Sequence, residues 1–260
     1  MFKNLFKNKK PLIGMIHLPP LPGYTKHPGM YQVIKKALTD LETLEKAGFD
    51  GVLVENDNDQ PHQIIISLTI RNAFSTVMKH VLQKAKIPVG MEIIYDMQAT
   101  IEVAHLVKSP FVRLDVFVDD VDTKWGKIQA QSNEIISLKR KLNANDICLL
   151  TDIQVKHARM LKKKSLHQSA KEAVRKGSDG IIVTGSWTGI APDITKCQHV
   201  KKVIGKFPVL VGSGLDITNA KELLSIVDGA IVGTSIKTGE YVDLEKAKKL
   251  INLINTFRKN

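Results

Sequence analysis

Ionisable side chains recur where short apolar runs of this sequence end. Carboxylates gathered at one pocket can differ in pKa and so divide acid and base roles, or they can hold a divalent cation. The sequence leaves both uses open, so no cofactor is assigned and a divalent metal stays an alternative. The candidate catalytic residues of this kind are His17, Glu55, Glu92, Arg113, Asp115 and Asp152.

Two of these residues, Arg113 and Asp115, are two positions apart on an extended run. Their side chains should share a face, so we expect an ion pair, either lining a ligand pocket or purely structural. Lys156 and His157 follow Asp152, where a lysine can neutralise substrate charge and a histidine can shuttle protons. A plain surface role is the alternative for Lys156.

Two glycine turns predict a site for phosphate or a similar anion. Gly212-Ser213-Gly214 follows the apolar run 208–211, and Gly233-Thr234-Ser235 follows the run 230–232. Glycine lets the backbone approach an anion, which free N–H groups can then bind. Thr184 and Gly185 should complete this cradle. The alternative is that the glycines only make tight turns; a dinucleotide fingerprint fits poorly because its third glycine is missing.

The element that must position these residues is a barrel, because apolar β-branched runs alternate with helical segments eight times. We predict one (β/α)8 barrel domain over 1–260 with a closed parallel eight-stranded sheet, and residues 1–10 as an N-terminal cap. A doubly wound open sheet is the rival. The predicted strands are 12–16, 51–55, 88–94, 111–114, 147–151, 180–184, 208–211 and 230–232.

Helices are predicted between these strands, and the longest connections follow strands, on the face where barrels build active sites. These connections are His17 to Met30, Glu55 to Pro61 and Asp115 to Ala130. The predicted helices are 31–47, 62–85, 97–107, 131–142, 165–176, 194–205, 219–226 and 244–256.

Composition narrows the class of protein. The formal charge is +12, but the lysines are scattered and only 5% of residues are aromatic, so specific nucleic-acid binding is not expected. No apolar run is long enough to span a bilayer. Two distant cysteines, Cys148 and Cys197, indicate buried thiols in a reducing compartment, so we expect a cytoplasmic protein. Barrels of this kind often associate, which makes a homo-oligomer one expectation.

Longer stretches of the chain resemble the BtpA/SgcQ family nearly from end to end. The most specific of them are Ile13-Gly14-Met15-Ile16-His17-Leu18-Pro19-Pro20-Leu21-Pro22-Gly23 and Asp228-Gly229-Ala230-Ile231-Val232-Gly233-Thr234-Ser235-Ile236-Lys237. Supporting stretches are Val54-Glu55-Asn56 with Asp59, Asp152 with Lys156-His157, Val183-Thr184-Gly185 with Thr188-Gly189, and Val211-Gly212-Ser213-Gly214.

This resemblance implies a barrel of the ribulose-phosphate-binding class. The chain departs from the family pattern at Glu92-Ile93-Ile94-Tyr95-Asp96 and again around Asp115, where the family has an asparagine-rich stretch and a small polar segment. We therefore expect an enzyme for a phosphorylated sugar or nucleoside-derived compound, of isomerase, epimerase, aldolase or lyase type. The alternative is a non-catalytic assembly factor, as the family's proposed part in photosystem I biogenesis implies.

Overall fold

The chain closes eight parallel strands into a barrel with helices outside, as the alternation of runs predicts. The structure, a computed structural model, describes residues 1–258. Strand order follows the chain, and the barrel closes where Leu12 of the first strand pairs with Ala230 of the last. The strands are β1 Leu12–His17, β2 Gly51–Glu55, β3 Val89–Glu92, β4 Phe111–Leu114, β5 Cys148–Ile153, β6 Gly180–Val183, β7 Val209–Val211 and β8 Gly229–Val232.

The helices occupy the predicted intervals, with one clear error. Helix α2 begins at Leu68 rather than at residue 62, because Ser67 caps it by accepting a hydrogen bond from the Ile70 N–H at 3.3 Å. The helices are α1 Met30–Ala47, α2 Leu68–Lys84, α3 Met97–Val107, α4 Ser132–Lys141, α5 Leu166–Arg175, α6 Ile194–Ile204, α7 Ala220–Ile226 and α8 Leu244–Arg258.

Short helix-to-strand turns hold the barrel floor through a repeated aspartate. Asp50 accepts the Leu12 N–H at 2.7 Å, Asp179 accepts the Leu149 N–H at 2.9 Å, and Asp228 accepts the Val209 N–H at 2.9 Å. Each aspartate directly precedes its own strand and accepts a hydrogen bond from the start of a neighbouring strand. These bonds satisfy strand-end donors that would otherwise lack a partner.

Loops above the barrel contain structure that the sequence did not predict. The connection 115–130 was expected to be irregular, but Val121–Thr123 and Gly126–Ile128 pair as antiparallel strands, and Ala158–Met160 from the loop after β5 joins them. Strands of three residues are too short to produce a readable alternation. The result is that the loops after β4 and β5 form one connected body.

The core has two parts, one between barrel and helices and one inside the barrel. Phe111, Leu53 and Ile182 fill the interior, and both cysteines are buried. From below, Phe6 packs its ring edge-on at 5.7 Å from the Phe111 ring, while Phe2 packs on Phe6 at 5.5 Å. None of the described helices has the length and apolar character needed to cross a bilayer.

We propose that the N-terminal segment is a structural cap of the barrel floor. Replacing Phe6 by alanine should lower the free energy of unfolding by about 3 kcal/mol, because a buried ring is lost from a packed site. Urea denaturation measures this. The matched control is Leu106→Ala, a side chain 58% exposed on α3, which should cost less than about 0.5 kcal/mol. Equal effects of the two variants would contradict the cap.

Candidate functional site

A buried arginine organises the carboxyl ends of the strands. Arg113, on β4, forms a bidentate pair with Asp152 of β5. Its Nε donates to Oδ2 at 2.8 Å and its Nη2 donates to Oδ1 at 3.1 Å. Its Nη1 lies 3.3 Å from Glu92 Oε2 and 3.9 Å from Glu55 Oε1. Residues from four neighbouring strands, β2 to β5, therefore meet at one cation.

Asp115 does not pair with Arg113, contrary to the expectation from their spacing. Strand β4 ends at Leu114, so residue 115 begins the loop and leaves the shared face. The Asp115 carboxylate instead accepts the Tyr95 N–H at 3.2 Å. Asp152 takes the place that the sequence suggested for Asp115, since β5 lies beside β4 in register.

Burial sets the protonation of the carboxyl groups around Arg113. It raises the pKa of Glu92 well above the ordinary value, a rise that Arg113 opposes and Glu55 reinforces. It also raises the pKa of Glu55, with Asp57 adding to the effect. Burial together with Asp152 raises the pKa of Asp115 to about 7. The site thus holds carboxyl groups able to carry protons near neutral pH.

The guanidinium itself stays charged. Burial disfavours its charge, but Asp152 and Glu92 outweigh burial and hold the pKa of Arg113 well above the ordinary value. An arginine cannot lose its proton in a protein under ordinary conditions, so the carboxyl groups must adjust around it.

His17 lies at the end of β1 as a neutral imidazole. Burial lowers its pKa well below the ordinary value, and the charges of Lys237 and Lys36 lower it further. Its Nε2 is 3.4 Å from Glu55 Oε2 and its Nδ1 is 3.6 Å from Asp57 Oδ2. These distances join a neutral ring to two carboxyl groups. A neutral imidazole can both accept and donate a proton.

Lysines that sequence reasoning passed over surround His17. Lys36 of α1 donates to the His17 carbonyl oxygen at 2.6 Å and pairs with Asp40 at 2.6 Å. Lys237 follows the second glycine turn, and burial together with Lys36 lowers its pKa to about 8. The sequence offered one indication of each lysine. Lys36 lies four positions before Asp40, the spacing of an ion pair on a helix, and Lys237 lies two positions after Ser235 of the second glycine turn.

Lys156 and His157 lie on the loop after β5, as predicted, but face different surroundings. Burial lowers the pKa of Lys156, with Arg113 adding to the effect, so the ammonium lies within the field of the central cluster. His157 instead accepts or donates a hydrogen bond to Thr188 Oγ1 at 2.7 Å and packs edge-on against Trp187, 60% exposed, at 4.1 Å. The tautomer decides the direction of that bond.

The two glycine turns lie side by side, opposite the carboxyl groups. They close a small cavity that we call the mouth cavity, of about 30 Å³. A Cβ on Gly212 would lie 3.9 Å from Arg113 Nη2, and one on Gly233 would lie 3.7 Å from His17 Cε1. The lining residues are Met15, His17, Glu55, Arg113, Lys156, Thr188, Gly189, Gly212, Ser213, Gly214, Gly233 and Thr234.

Hydroxyl groups of the predicted cradle are occupied by the protein itself. The Ser213 hydroxyl accepts the Gly185 N–H at 2.9 Å and donates to the Ile190 carbonyl at 2.8 Å, while Ser235 donates to the Leu215 carbonyl at 2.6 Å. The Thr184 hydroxyl accepts the Lys156 N–H at 3.2 Å. These side chains shape the turns, which leaves the recognition of an anion to backbone N–H groups.

The described residues place no three His, Cys, Asp or Glu side chains in an arrangement suited to a metal ion. The buried carboxyl groups converge on the guanidinium instead. The site thus combines backbone N–H groups at the glycine turns with titratable groups around Arg113 and His17.

A family model described as the BtpA family matches residues 8–256. The chain belongs to the BtpA family. A Pyrococcus furiosus relative is 37% identical over 98% of each chain, and it is uncharacterised. The photosystem I biogenesis protein BtpA of Synechocystis is 30% identical over 89% of this chain and 82% of its own.

Solved structures share the same fold at low sequence identity. N-(5'-phosphoribosyl)anthranilate isomerase of Pyrococcus furiosus matches with a TM-score of 0.60 and 12% identity, over 95% of this chain and 99% of its own. A structure described as native KDPGal matches with a TM-score of 0.62 and 13% identity, over 98% and 99%. At such identities the likeness establishes the barrel fold.

The raised pKa of Asp115 predicts that Asp115→Asn increases the free energy of unfolding in a pH-dependent way. A folded-state pKa of about 7, above the ordinary 3.8, means that the bound proton stabilises the fold below pH 4 and that this stabilisation is lost as the pH rises to 7. The asparagine keeps an acceptor for the Tyr95 N–H and has no charge to bury. Between pH 4 and 7 the variant's free energy of unfolding should rise relative to the parent's, and the difference should be constant above pH 7.

Urea denaturation across this pH range measures the difference. The control is Asp146→Asn, the same change of charge at an exposed residue before β5. A flat profile for Asp115→Asn would show that its carboxyl is ionised throughout.

Proposed function

We propose that this protein is a cytoplasmic enzyme that transfers protons on a phosphorylated sugar or nucleoside-derived small molecule, in a reaction of isomerase, epimerase, aldolase or lyase type. One observation carries the proposal: the glycine turns line the mouth cavity together with His17, Glu55, Arg113 and Lys156. Anion binding and proton transfer would thus act on one small ligand.

The phosphate would bind at the turns Gly212-Ser213-Gly214 and Gly233-Thr234-Ser235. Gly212 N–H is used in the barrel, where it donates to the Val183 carbonyl at 2.9 Å. The N–H groups next along the chain, at Ser213 and Gly214, and those at Thr234 and Ser235 remain for an anion among the described hydrogen bonds. Oriented N–H groups at glycine turns suit phosphate oxygens.

Proton transfer would fall to Glu55 and His17, whose side chains are 3.4 Å apart. A carboxyl with a raised pKa accepts and returns a proton near neutral pH, and a neutral imidazole can relay it. Arg113 and Lys156 would stabilise the negative charge that develops when a proton leaves carbon beside a carbonyl. Glu92 and Asp152 would hold the guanidinium in place and balance its charge, while Asp115, bound to the Tyr95 N–H, would carry a proton near neutral pH.

Entry of such a ligand requires the loop after β6 to move. A cavity of about 30 Å³ holds little more than a water molecule, whereas Thr188 and Gly189 line it from that loop. A Cβ on Gly189 would lie 3.5 Å from Thr234 Cγ2, so the loop rests on the second glycine turn. We propose that Gly185 to Ile190 is a lid, with Trp187 on its outer side.

The names of the similar solved structures support the substrate class. They include thiamine phosphate pyrophosphorylase and phosphoribosylanthranilate isomerase, both named for phosphorylated compounds. The second candidate function is a non-catalytic biogenesis factor, which the name of the Synechocystis relative favours. The density of buried ionisable groups at the barrel mouth favours the enzyme, because a scaffold gains nothing from burying them.

Substituting Gly233 tests the phosphate site with little risk to the fold. Its φ of −125° lies outside the left-handed range, and an added Cβ would make ordinary contacts at 3.4 Å with Met15. Ribose 5-phosphate at about a hundred times its Kd should raise the parent's Tm by about 5 °C. Gly233→Asp should abolish this rise through charge repulsion, and Gly233→Asn, of equal size and neutral, should keep part of it.

Differential scanning fluorimetry with ribose 5-phosphate and with sodium phosphate provides the measurement. If neither compound raises the Tm of the parent, or if it raises the Tm of the aspartate and asparagine variants equally, the glycine turns do not bind phosphate.

Catalysis is tested by exchange of substrate carbon-bound hydrogen with solvent. In D2O the parent should incorporate deuterium beside the carbonyl of a phosphorylated pentose or hexose, detected by proton NMR over a panel of such compounds. Glu55→Gln should slow this exchange about 100-fold or more while binding persists, because the proton acceptor is gone and the shape is kept. Glu240→Gln, an exposed acid on the same rim, is the control and should exchange at the parent's rate. Phosphate binding without exchange in any panel member would favour the non-catalytic alternative.

A further inference from the structure

A second cavity adjoins the mouth cavity and has a different electrostatic character. It lies between the loops after β5 and β6, has a volume of about 460 Å³, and is lined by Lys156, His157, Thr184, Gly185 and Lys196 among others. We call it the lysine cavity. Lys156 lines both cavities, so they adjoin at this residue.

Two ammonium groups of the lysine cavity lack an acidic partner. Lys196, on the first turn of α6, donates to the Thr184 carbonyl oxygen at 2.9 Å. Within the described chain, no carboxylate oxygen lies within 4.0 Å of the Nζ atom of Lys196 or of Lys156. Burial lowers the pKa of both lysines, which means that their surroundings disfavour the positive charge. An anion in the cavity would relieve that cost.

The acidic and titratable groups nearby do not supply that anion. Asp193 is the one acid among the described residues that line the cavity, and its Oδ1 is taken by the Thr195 N–H and hydroxyl at 2.8 Å each. His157 has its pKa lowered by burial and by Lys156, so it adds no negative charge. Carboxylates of the central cluster act on the lysines only at longer range and are bound to Arg113.

Lys196 belongs to a different subsite from the glycine turns. The mouth cavity is lined by Gly212, Gly214 and Gly233 and does not include Lys196. Gly185 connects the two regions, because its N–H donates to Ser213 on the first glycine turn while its backbone lines the lysine cavity. A ligand that passes Lys156 can therefore reach both.

We infer that the lysine cavity receives a second acidic group of the substrate, so that the substrate is a sugar-derived compound with a phosphate at one end and a second phosphate or a carboxylate at the other. This inference rests on the proposed function, because it assumes that the first phosphate occupies the glycine turns. It narrows the substrate class from any phosphorylated sugar to a doubly anionic one.

The test compares three probes by isothermal titration calorimetry: ribose 5-phosphate, ribulose 1,5-bisphosphate and 6-phosphogluconate. At least one of the two doubly anionic compounds should bind the parent about tenfold tighter or better than ribose 5-phosphate, as expected for one added charged hydrogen bond. A preference for the bisphosphate identifies the second group as phosphate, and a preference for phosphogluconate identifies it as carboxylate.

Variants of Lys196 test whether the gain in affinity arises in the lysine cavity. Lys196→Gln should remove the tenfold advantage and leave the affinity for ribose 5-phosphate unchanged, while Lys196→Arg should retain the advantage. The matched control is Lys202→Gln, an exposed lysine on the same helix with the same change in charge, which should keep the advantage.

Each other outcome is decisive. Doubly anionic probes that bind no tighter than ribose 5-phosphate overturn the inference and leave the proposed function standing. The inference also fails if Lys196→Gln weakens all three probes equally, since Lys196 would then serve the first phosphate, or if Lys202→Gln has the same effect. If none of the probes binds the parent, the proposed function fails together with the inference.

Discussion

The burial of one guanidinium determines the electrostatics of the barrel mouth. Arg113 is 4% exposed and donates two hydrogen bonds to the Asp152 carboxylate. A buried cation is tolerated only with such compensation, and an ion pair that loses one partner is strongly destabilising. With its charge fixed, the remaining carboxyl groups on β2 and β3 cannot all ionise. Burial raises the pKa of both Glu55 and Glu92, neighbouring carboxylates raise it further and Arg113 lowers it, so the barrel mouth favours protonated carboxyl groups beside a fixed cation.

Around this centre the fold separates the tasks of shaping and binding. Hydroxyl groups of Thr184, Ser213 and Ser235 fasten one loop to the next through backbone atoms. They leave the main chain of the glycine turns as the surface that faces a ligand. A site of this kind depends on loop geometry more than on side-chain identity, and that geometry depends in turn on the register of β6, β7 and β8.

Local pattern in the sequence predicted the barrel well, because each strand and helix carries its own signal. Strands β2 and β4 have the predicted ends, and helix α3 does too. The partner of Arg113 could not be found in this way, since spacing along the chain favoured Asp115 while pairing across strands selected Asp152. Lys196 was missed for a similar reason: only the folding of the loop after β6 brings α6 beside Thr184.

The small antiparallel sheet formed by Val121–Thr123, Gly126–Ile128 and Ala158–Met160 has a consequence for ligand traffic. Its backbone ladder braces the loops after β4 and β5 against each other. The loop after β6 is joined to that body by two side-chain hydrogen bonds, one from the Lys156 N–H to Thr184 Oγ1 and one between His157 and Thr188. A backbone ladder thus holds one wall of the entrance, and side-chain bonds hold the other. A ligand of the proposed kind would pass Trp187 when the bond between His157 and Thr188 breaks, and the rate of that opening would set its residence time.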